Sequence, residues 1–337
     1  MNGRRIVIDG PRSIAVESFE LPDSPAADEI LVRVHYSLIS PGTELGGYAN
    51  ARPGSHICPG YTAVGGVLAV GKEDEEGLVG KLVYLFPERS DSRACHASLR
   101  MFKTGGLALP LPEGLGADTA CFARMVNIAL TPYCNAAPKT QETVFVQGLG
   151  LVGTTIGQVG RIRGLRTIGV DPDAARRERA RQLGFDAVLD PEKGDVVEQV
   201  RGVTEGRGAD LAVNATGHTA AFMDAIRATA DGGEISTLGG ARHPADLDAQ
   251  RIFSEIHSRH LVVRGGWELQ LPLRGMPALH VSSTEQNLKT AFRWLQNGAV
   301  ALGPVWTHTI PPERFQDAYD ALLERDPDYL GVVVDWR

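Results

Sequence analysis

Residues 143–153 read Thr-Val-Phe-Val-Gln-Gly-Leu-Gly-Leu-Val-Gly, and no other stretch of the chain restricts its fold as tightly. A β-branched and aromatic run passes without a spacer into G-x-G-x-x-G. The segment that follows, 152–164, places Val152, Ile156 and Val159 at i, i+4 and i+7, the spacing of one helix face. Strand, tight turn and helix in that order open a parallel βαβ unit. Gly148 permits the turn, Gly150 lets the backbone approach a pyrophosphate, and Gly153 lets the helix lie close to the strand. Leu151 and Val152 begin the helix, whose free N–H groups face the anion.

Asp171 follows the second strand, 166–170, and stands 18 residues beyond Gly153. A carboxylate there accepts hydrogen bonds from both ribose hydroxyls and repels a 2′-phosphate, so the expected nucleotide is NAD(H) rather than NADP. Arg176 and Arg177 admit two readings. They pair with a 2′-phosphate, or with Arg179 and Arg181 they form a solvated helix face. Ligands of open α/β sheets lie at the carboxyl ends of strands. That rule adds Thr216 (in 214–217), Leu238 and Gly239 (in 237–240) and Gly266 (in 264–267) to the cofactor crevice.

The apolar runs 143–146, 167–170, 187–189, 211–213, 234–238 and 261–263 alternate with segments of helical composition, which predicts six parallel strands in a doubly wound sheet. Before residue 116 the pattern differs. Short runs at 6–8, 30–34, 64–70 and 82–86 are separated by Pro-Gly turn signals, as in a β-rich module of barrel type. A helix is expected over 117–129. Beyond Trp267 come helices at 283–297, with Ser283-x-x-Gln286 at its start, and at 313–324, then a strand at 329–335 that pairs back with the first module. The domains are drawn at 1–118, 119–267 and 268–337.

With 41 acidic against 34 basic residues the net charge is −7, and no dense Lys/Arg tract exists. Nucleic acid and anionic membrane are therefore excluded as partners, and a small molecule is expected. No run reaches membrane-spanning length, and four cysteines occur without a C-x-x-C pair, which predicts a cytoplasmic protein with free thiols. The strand at 261–263 and the apolar stretch 269–279 suggest a homodimer.

Residues 36–44, Tyr-Ser-Leu-Ile-Ser-Pro-Gly-Thr-Glu, resemble the Cys-Gly-Thr-Asp segment of the medium-chain dehydrogenase/reductase superfamily. Residues 59–67, Pro-Gly-Tyr-Thr-Ala-Val-Gly-Gly-Val, resemble its Gly-His-Glu segment and glycine-rich strand. The resemblance covers essentially the whole chain. It implies an α/β fold with a GroES-like β-rich catalytic domain plus a Rossmann doubly wound parallel sheet. Zinc-binding members use the Cys and the His, where this chain has Pro41 and Tyr61, with Thr62 at the acidic position. The stretch 121–125 offers no carboxylate, and 87–104 holds only Cys95 and His96 where a structural zinc lobe has four cysteines, so neither zinc site is expected. Among zinc-free relatives the chain is most similar to bacteriochlorophyllide hydroxyethyl dehydrogenases and enzymes of polyol, glycoside or cyclitol metabolism.

Oxidising an alcohol without a metal requires a hydrogen-bond network ending in a proton acceptor. Thr43, Glu44, His56 and Tyr61 are the candidates. The resemblance gives Thr43 the relay hydroxyl and puts Tyr61 near the substrate oxygen. Glu44 is either a base or a structural carboxylate, and His56 either a base or a surface residue. His257 and His260 read as core or surface residues, and Trp267 as a substrate-pocket wall or an interface residue. The expected activity is NAD(H)-dependent interconversion of a secondary alcohol and its ketone. The alternatives are a quinone or enoyl reductase, an enzyme recycling tightly held nucleotide, and a nucleotide-binding protein without catalysis.

Overall fold

The computed structural model describes residues 1–72, 77–88, 94–136, 142–240, 243–275 and 282–337. Two compact units divide the chain: Met1–Arg124 with Leu288–Asn297 and Val305–Arg337, and Met125–Asn287 with Gly298–Pro304.

The N-terminal part runs β1 (Asn2–Gly10), β2 (Ser13–Glu20), β3 (Glu29–Leu38), α1 (Pro41–Ala49), β4 (Ala63–Val70), β5 (Leu82–Phe86), β6 (Leu99–Lys103), β7 (Leu107–Pro110), α2 (Ala117–Ala120) and α3 (Ala123–Asn135). Strands and helices then alternate through β8 (Thr143–Gln147), α4 (Leu151–Ile162), β9 (Arg166–Val170), α5 (Ala174–Gln182), β10 (Ala187–Leu189), α6 (Val196–Val203), β11 (Ala209–Asn214), α7 (Thr219–Ala228), β12 (Thr229–Thr237), α8 (Ala249–Ser258) and β13 (Val262–Gly265). The last elements are α9 (Thr284–Gln296), β14 (Trp306–Ile310), α10 (Phe315–Glu324) and β15 (Gly331–Asp335).

In the second unit six strands lie in the order β10-β9-β8-β11-β12-β13, every pair parallel. The central strands are apolar nearly throughout because helices cover both faces, and Phe145, Ile168, Ala212 and Ile235 are fully buried among Val197, Val200 and Ile226. Chain order reverses at β8, whose neighbours are β9 and β11. Such a reversal opens a crevice at the carboxyl ends of the strands.

The first unit is built on a mixed sheet in the order β14-β15-β3-β4-β5-β7, with β6 also on β3. β15 pairs antiparallel with β3, Val333 opposite Leu38 and Asp335 opposite Tyr36, so the C-terminal strand returns to the first module as its β-branched composition requires. Val32, Val67, Leu85, Phe102, Phe315, Tyr319 and Val334 form its core.

Some elements differ from the sequence expectation. Pro41-Gly42, a turn signal, instead opens α1: Pro41 occupies the first turn, where its missing N–H costs nothing, and Leu45 and Tyr48 supply the buried face. The helix expected at 117–129 is broken, because the Cys121 and Phe122 amides turn back to Asp118 and Thr119 before α3 begins. His257 lies in α8, whereas His260 follows it with φ +54°, so the two do not share a helical turn. Of the apolar stretch 269–279, residues 276–279 fall outside the described residues, as do 89–93 of the stretch compared with a zinc lobe.

Candidate active site

In the second unit the glycine-rich turn is explained residue by residue. Gly148 has φ +85°, and a Cβ on Gly153 would stand 1.8 Å from the Gly148 carbonyl oxygen, so α4 can approach the turn only with glycine there. Gly150 differs, since a Cβ on it would meet nothing within 4 Å. Packing does not demand that glycine, and it leaves open space at the N-cap of α4, where no side chain caps the amides. Room and free donors at a helix N-terminus suit a pyrophosphate.

Asp171 is 4% exposed and ties this turn to β9. Its Oδ2 accepts from the Leu149 amide at 2.8 Å and its Oδ1 from the Asp173 amide at 2.9 Å. A carboxylate offers about four acceptor sites, so capacity for ribose hydroxyls remains. Arg177 is buried and occupied: it binds Asp190 at 2.7 Å and the Asp171 and Pro172 carbonyls. Arg176 is the partly exposed one, 3.8 Å from Asp171.

The other expected cofactor residues gather at the same strand ends. Thr216 donates to the Asn214 side chain at 2.7 Å, and the Leu238 and Gly239 amides both donate to the Asn214 carbonyl. Gly266 packs on Leu238, whose Cα a Cβ would meet at 2.7 Å. Asn214 therefore organises this end of the sheet, a role its position in the sequence did not reveal. Trp267 is 53% exposed.

In the first unit the four candidate catalytic residues engage different neighbours. Thr43 is exposed on the first turn of α1, where the Ser40 hydroxyl donates to its Oγ1 at 3.2 Å. His56 is a surface residue bonded to Glu17 at 2.9 Å, and Arg5, then His56, hold the Glu17 carboxyl below its usual range. Glu44, next to Thr43 on α1, is buried. Its Oε2 accepts from the Tyr319 hydroxyl at 2.6 Å and lies 3.1 Å from His96 Nε2, while its Oε1 has no partner among the described residues.

His96, fully buried, extends this network. Its Nδ1 lies 2.7 Å from the Ser37 hydroxyl, which accepts from the Trp336 indole at 2.9 Å. Indole only donates, so both His96 nitrogens and the Ser37 hydroxyl are satisfied when Ser37 donates to Nδ1 and His96 donates from Nε2 to Glu44. The turn carrying Tyr61 rests on the same histidine. The Cys95 and His96 amides donate to the Gly60 and Pro59 carbonyls, and Gly60, at φ +98°, would put a Cβ 2.5 Å from the His96 amide nitrogen.

Tyr61 itself is 6% exposed, and Arg124 at the start of α3 covers its ring. These donors do not suit a metal. Pro41 has none, both His96 nitrogens are engaged, and burial, then Asp118, pushes the Cys121 thiol well up while its Sγ donates to the Ala117 carbonyl. Among the described residues no three His, Cys, Asp or Glu side chains cluster as a metal site.

Residues 152–270 match the zinc-binding dehydrogenase family. An L-threonine 3-dehydrogenase of Symbiobacterium thermophilum is 28% identical over 199 residues, 59% of this chain and 52% of that protein, so the chain spans about half the length of that curated relative. A sorbitol dehydrogenase of Bacillus subtilis is 24% identical over 272 residues, 71% of this chain and 75% of that protein. The crystal structure of galactitol-1-phosphate dehydrogenase from Escherichia coli superimposes with a TM-score of 0.84 at 18% identity, covering 98% of this chain and 99% of that one. The combination of GroES-like and Rossmann domains is thus the fold found.

Proposed function

We infer that this chain is a zinc-independent, NAD(H)-dependent dehydrogenase of the medium-chain dehydrogenase/reductase superfamily, interconverting a secondary alcohol and its ketone; the match of residues 152–270 to the zinc-binding dehydrogenase family supports the superfamily. The observation that carries the reading is Asp171, a buried carboxylate bonded to the glycine-rich turn and retaining acceptor capacity. It favours a ribose with free hydroxyls over one bearing a phosphate.

In this reading residues 119–267 hold the nucleotide, and 1–118 with 268–337 hold the substrate. NAD, when bound, supplies the hydride acceptor. Thr43 and Tyr61 orient the reacting oxygen through their hydroxyls, and Tyr61 takes its proton during oxidation and returns it during reduction. Glu44 is a structural carboxylate beneath Tyr61's turn, linked to it by His96. The absence of metal from the proposal follows from the donors at hand: Pro41, a ring-stacked Tyr61 and Arg124.

The protein acts as a cytoplasmic homodimer joined through β13. Among the described residues that strand pairs on its β12 side alone, with Val262 and Val263 exposed on it and Phe253 and Trp267 nearby in sequence also exposed. No described helix is long and apolar enough to cross a membrane.

The test offers NAD⁺ with L-threonine, sorbitol and galactitol 1-phosphate, the substrates named by the relatives above, before and after chelation. NADH formation with one of them, unchanged by chelator and without stoichiometric zinc in the protein, is expected. Zinc-dependent turnover, turnover with NADP⁺ alone, or reduction confined to conjugated ketones would overturn the proposal.

A further inference from the structure

Arg124 is 3% exposed, and its guanidinium lies between two rings of the first unit, 4.1 Å from the centroid of Tyr61 and 4.1 Å from that of Phe86. Its Nη1 also donates to the Tyr61 carbonyl at 2.7 Å. One side chain thus grips Tyr61 twice, at the backbone and over the ring. Phe86 packs against the same guanidinium. A stacked guanidinium is weakly hydrated and stays charged at any pH the protein meets, so this is a permanent cation.

Among the described residues the titratable groups of this neighbourhood include Tyr84 on β5, Cys121 between α2 and α3, and Asp118 in α2, which acts on Cys121. Burial pushes up the Tyr84 phenol, against an opposing pull from Arg124, and burial likewise holds Cys121 protonated. Tyr84 and Cys121 are therefore neutral, and the Arg124 guanidinium lies directly over the Tyr61 ring. A cation over an aromatic face is attracted to its electron density, which rises when a phenol loses its proton. Burial of Tyr61 disfavours the phenolate and Arg124 favours it.

We propose that Arg124 is a positioning residue that makes Tyr61 a competent proton acceptor, a fixed guanidinium doing for the phenol what a bound cation does for an alcohol. The inference rests on the reading of Tyr61 given above. In the oxidation the substrate O–H bond breaks and its proton goes to the Tyr61 phenolate oxygen. The electron pair of the C–H bond leaves with the hydride to NAD⁺, and Arg124 neither gains nor loses a proton.

The experiment follows phenolate absorbance against pH in the full-length, cofactor-free protein, taking Tyr61 as the difference between wild type and Tyr61→Phe. Arg124→Met should raise the Tyr61 midpoint by about one pH unit or more, the effect of removing a close opposite charge. Arg124→Lys, which keeps the charge, should restore most of that shift. An unmoved midpoint in Arg124→Met, or equal shifts in the Met and Lys variants, would overturn the proposal. If Arg124→Met does not fold by circular dichroism, Phe86→Leu, which opens one side of the stack, should give a smaller upward shift, and no shift would again overturn it. No substrate or nucleotide enters this titration. A protein inactive on every alcohol therefore defeats the dehydrogenase reading without touching this result, and the converse also holds.

Discussion

Asp171 does two jobs with one carboxylate, and they separate on substitution. Replacing it by serine removes the charge that selects a 2′-hydroxyl and the bond to the Leu149 amide. Hydrogen bonds to a charged group contribute about 1.5–3 kcal/mol, so Asp171→Ser should weaken NAD⁺ binding roughly 10- to 100-fold while leaving NADP⁺ binding unchanged or improved. The ratio of the two KM values checks this, and a constant ratio would remove Asp171 from cofactor selection. Its place at the end of β9 was legible in the sequence because it follows the apolar run 166–170, with one partner, Asp173, two residues on. Glu44 was only half legible: the carboxylate could be picked out, but its partners, His96 and Tyr319, lie 52 and 275 residues away. Nothing in the composition around His96 announces a buried imidazole, since the contact exists only after β3, α1 and α10 have assembled.

Elements whose stability is local were the readable ones. α4 carries its own periodicity, and Asp173 caps α5 by accepting from the Arg176 amide. α1 was not readable, because Gly46 and Gly47 disfavour a helix by propensity and burial of Leu45 and Tyr48 against the first unit's core overrides them. The glycine-rich turn yields a paired prediction. Gly153→Ala drives a Cβ into backbone and should cost about 1–3 kcal/mol or more in stability, with loss of nucleotide binding. Gly150→Ala has space for its methyl and a φ of −70° that alanine adopts, so stability should change by less than about 0.5 kcal/mol while NADH affinity falls. Thermal unfolding and NADH fluorescence titration distinguish the two. Equal NADH affinity in wild type and Gly150→Ala would mean that the open space serves another purpose.

Across the whole molecule, buried acids set an alkaline limit. Burial pushes up the phenols of Tyr84 and Tyr133, and burial followed by Glu44 does the same to Tyr319, while Cys121 is held protonated in the same way. In the unfolded chain thiols lose their protons near pH ~8.5 and phenols near pH ~10. The folded state then binds more protons than the unfolded one, so the stability contributed by these groups is complete below about pH 8.5 and declines as pH rises through about 10. The melting temperature should follow that profile, and Tyr84→Phe should flatten it. A melting temperature constant to the alkaline limit of the assay would contradict the burial of these groups.

The return of β15 to β3, with the Trp336 indole on Ser37, also orders events in time. A ribosome releases the sheet of the second unit long before it makes β15. The nascent first unit must therefore wait with the Tyr36–Leu38 end of β3 lacking its β15 partner, β6 already covering Glu29–Arg33 on that side, and the Ser37–His96 pair lacking its indole donor. During that interval this short end of β3 is an open edge, able to accept a passing strand. Synthesis speed between β13 and β15, and chaperones that shield strand edges, should therefore influence the yield of this protein.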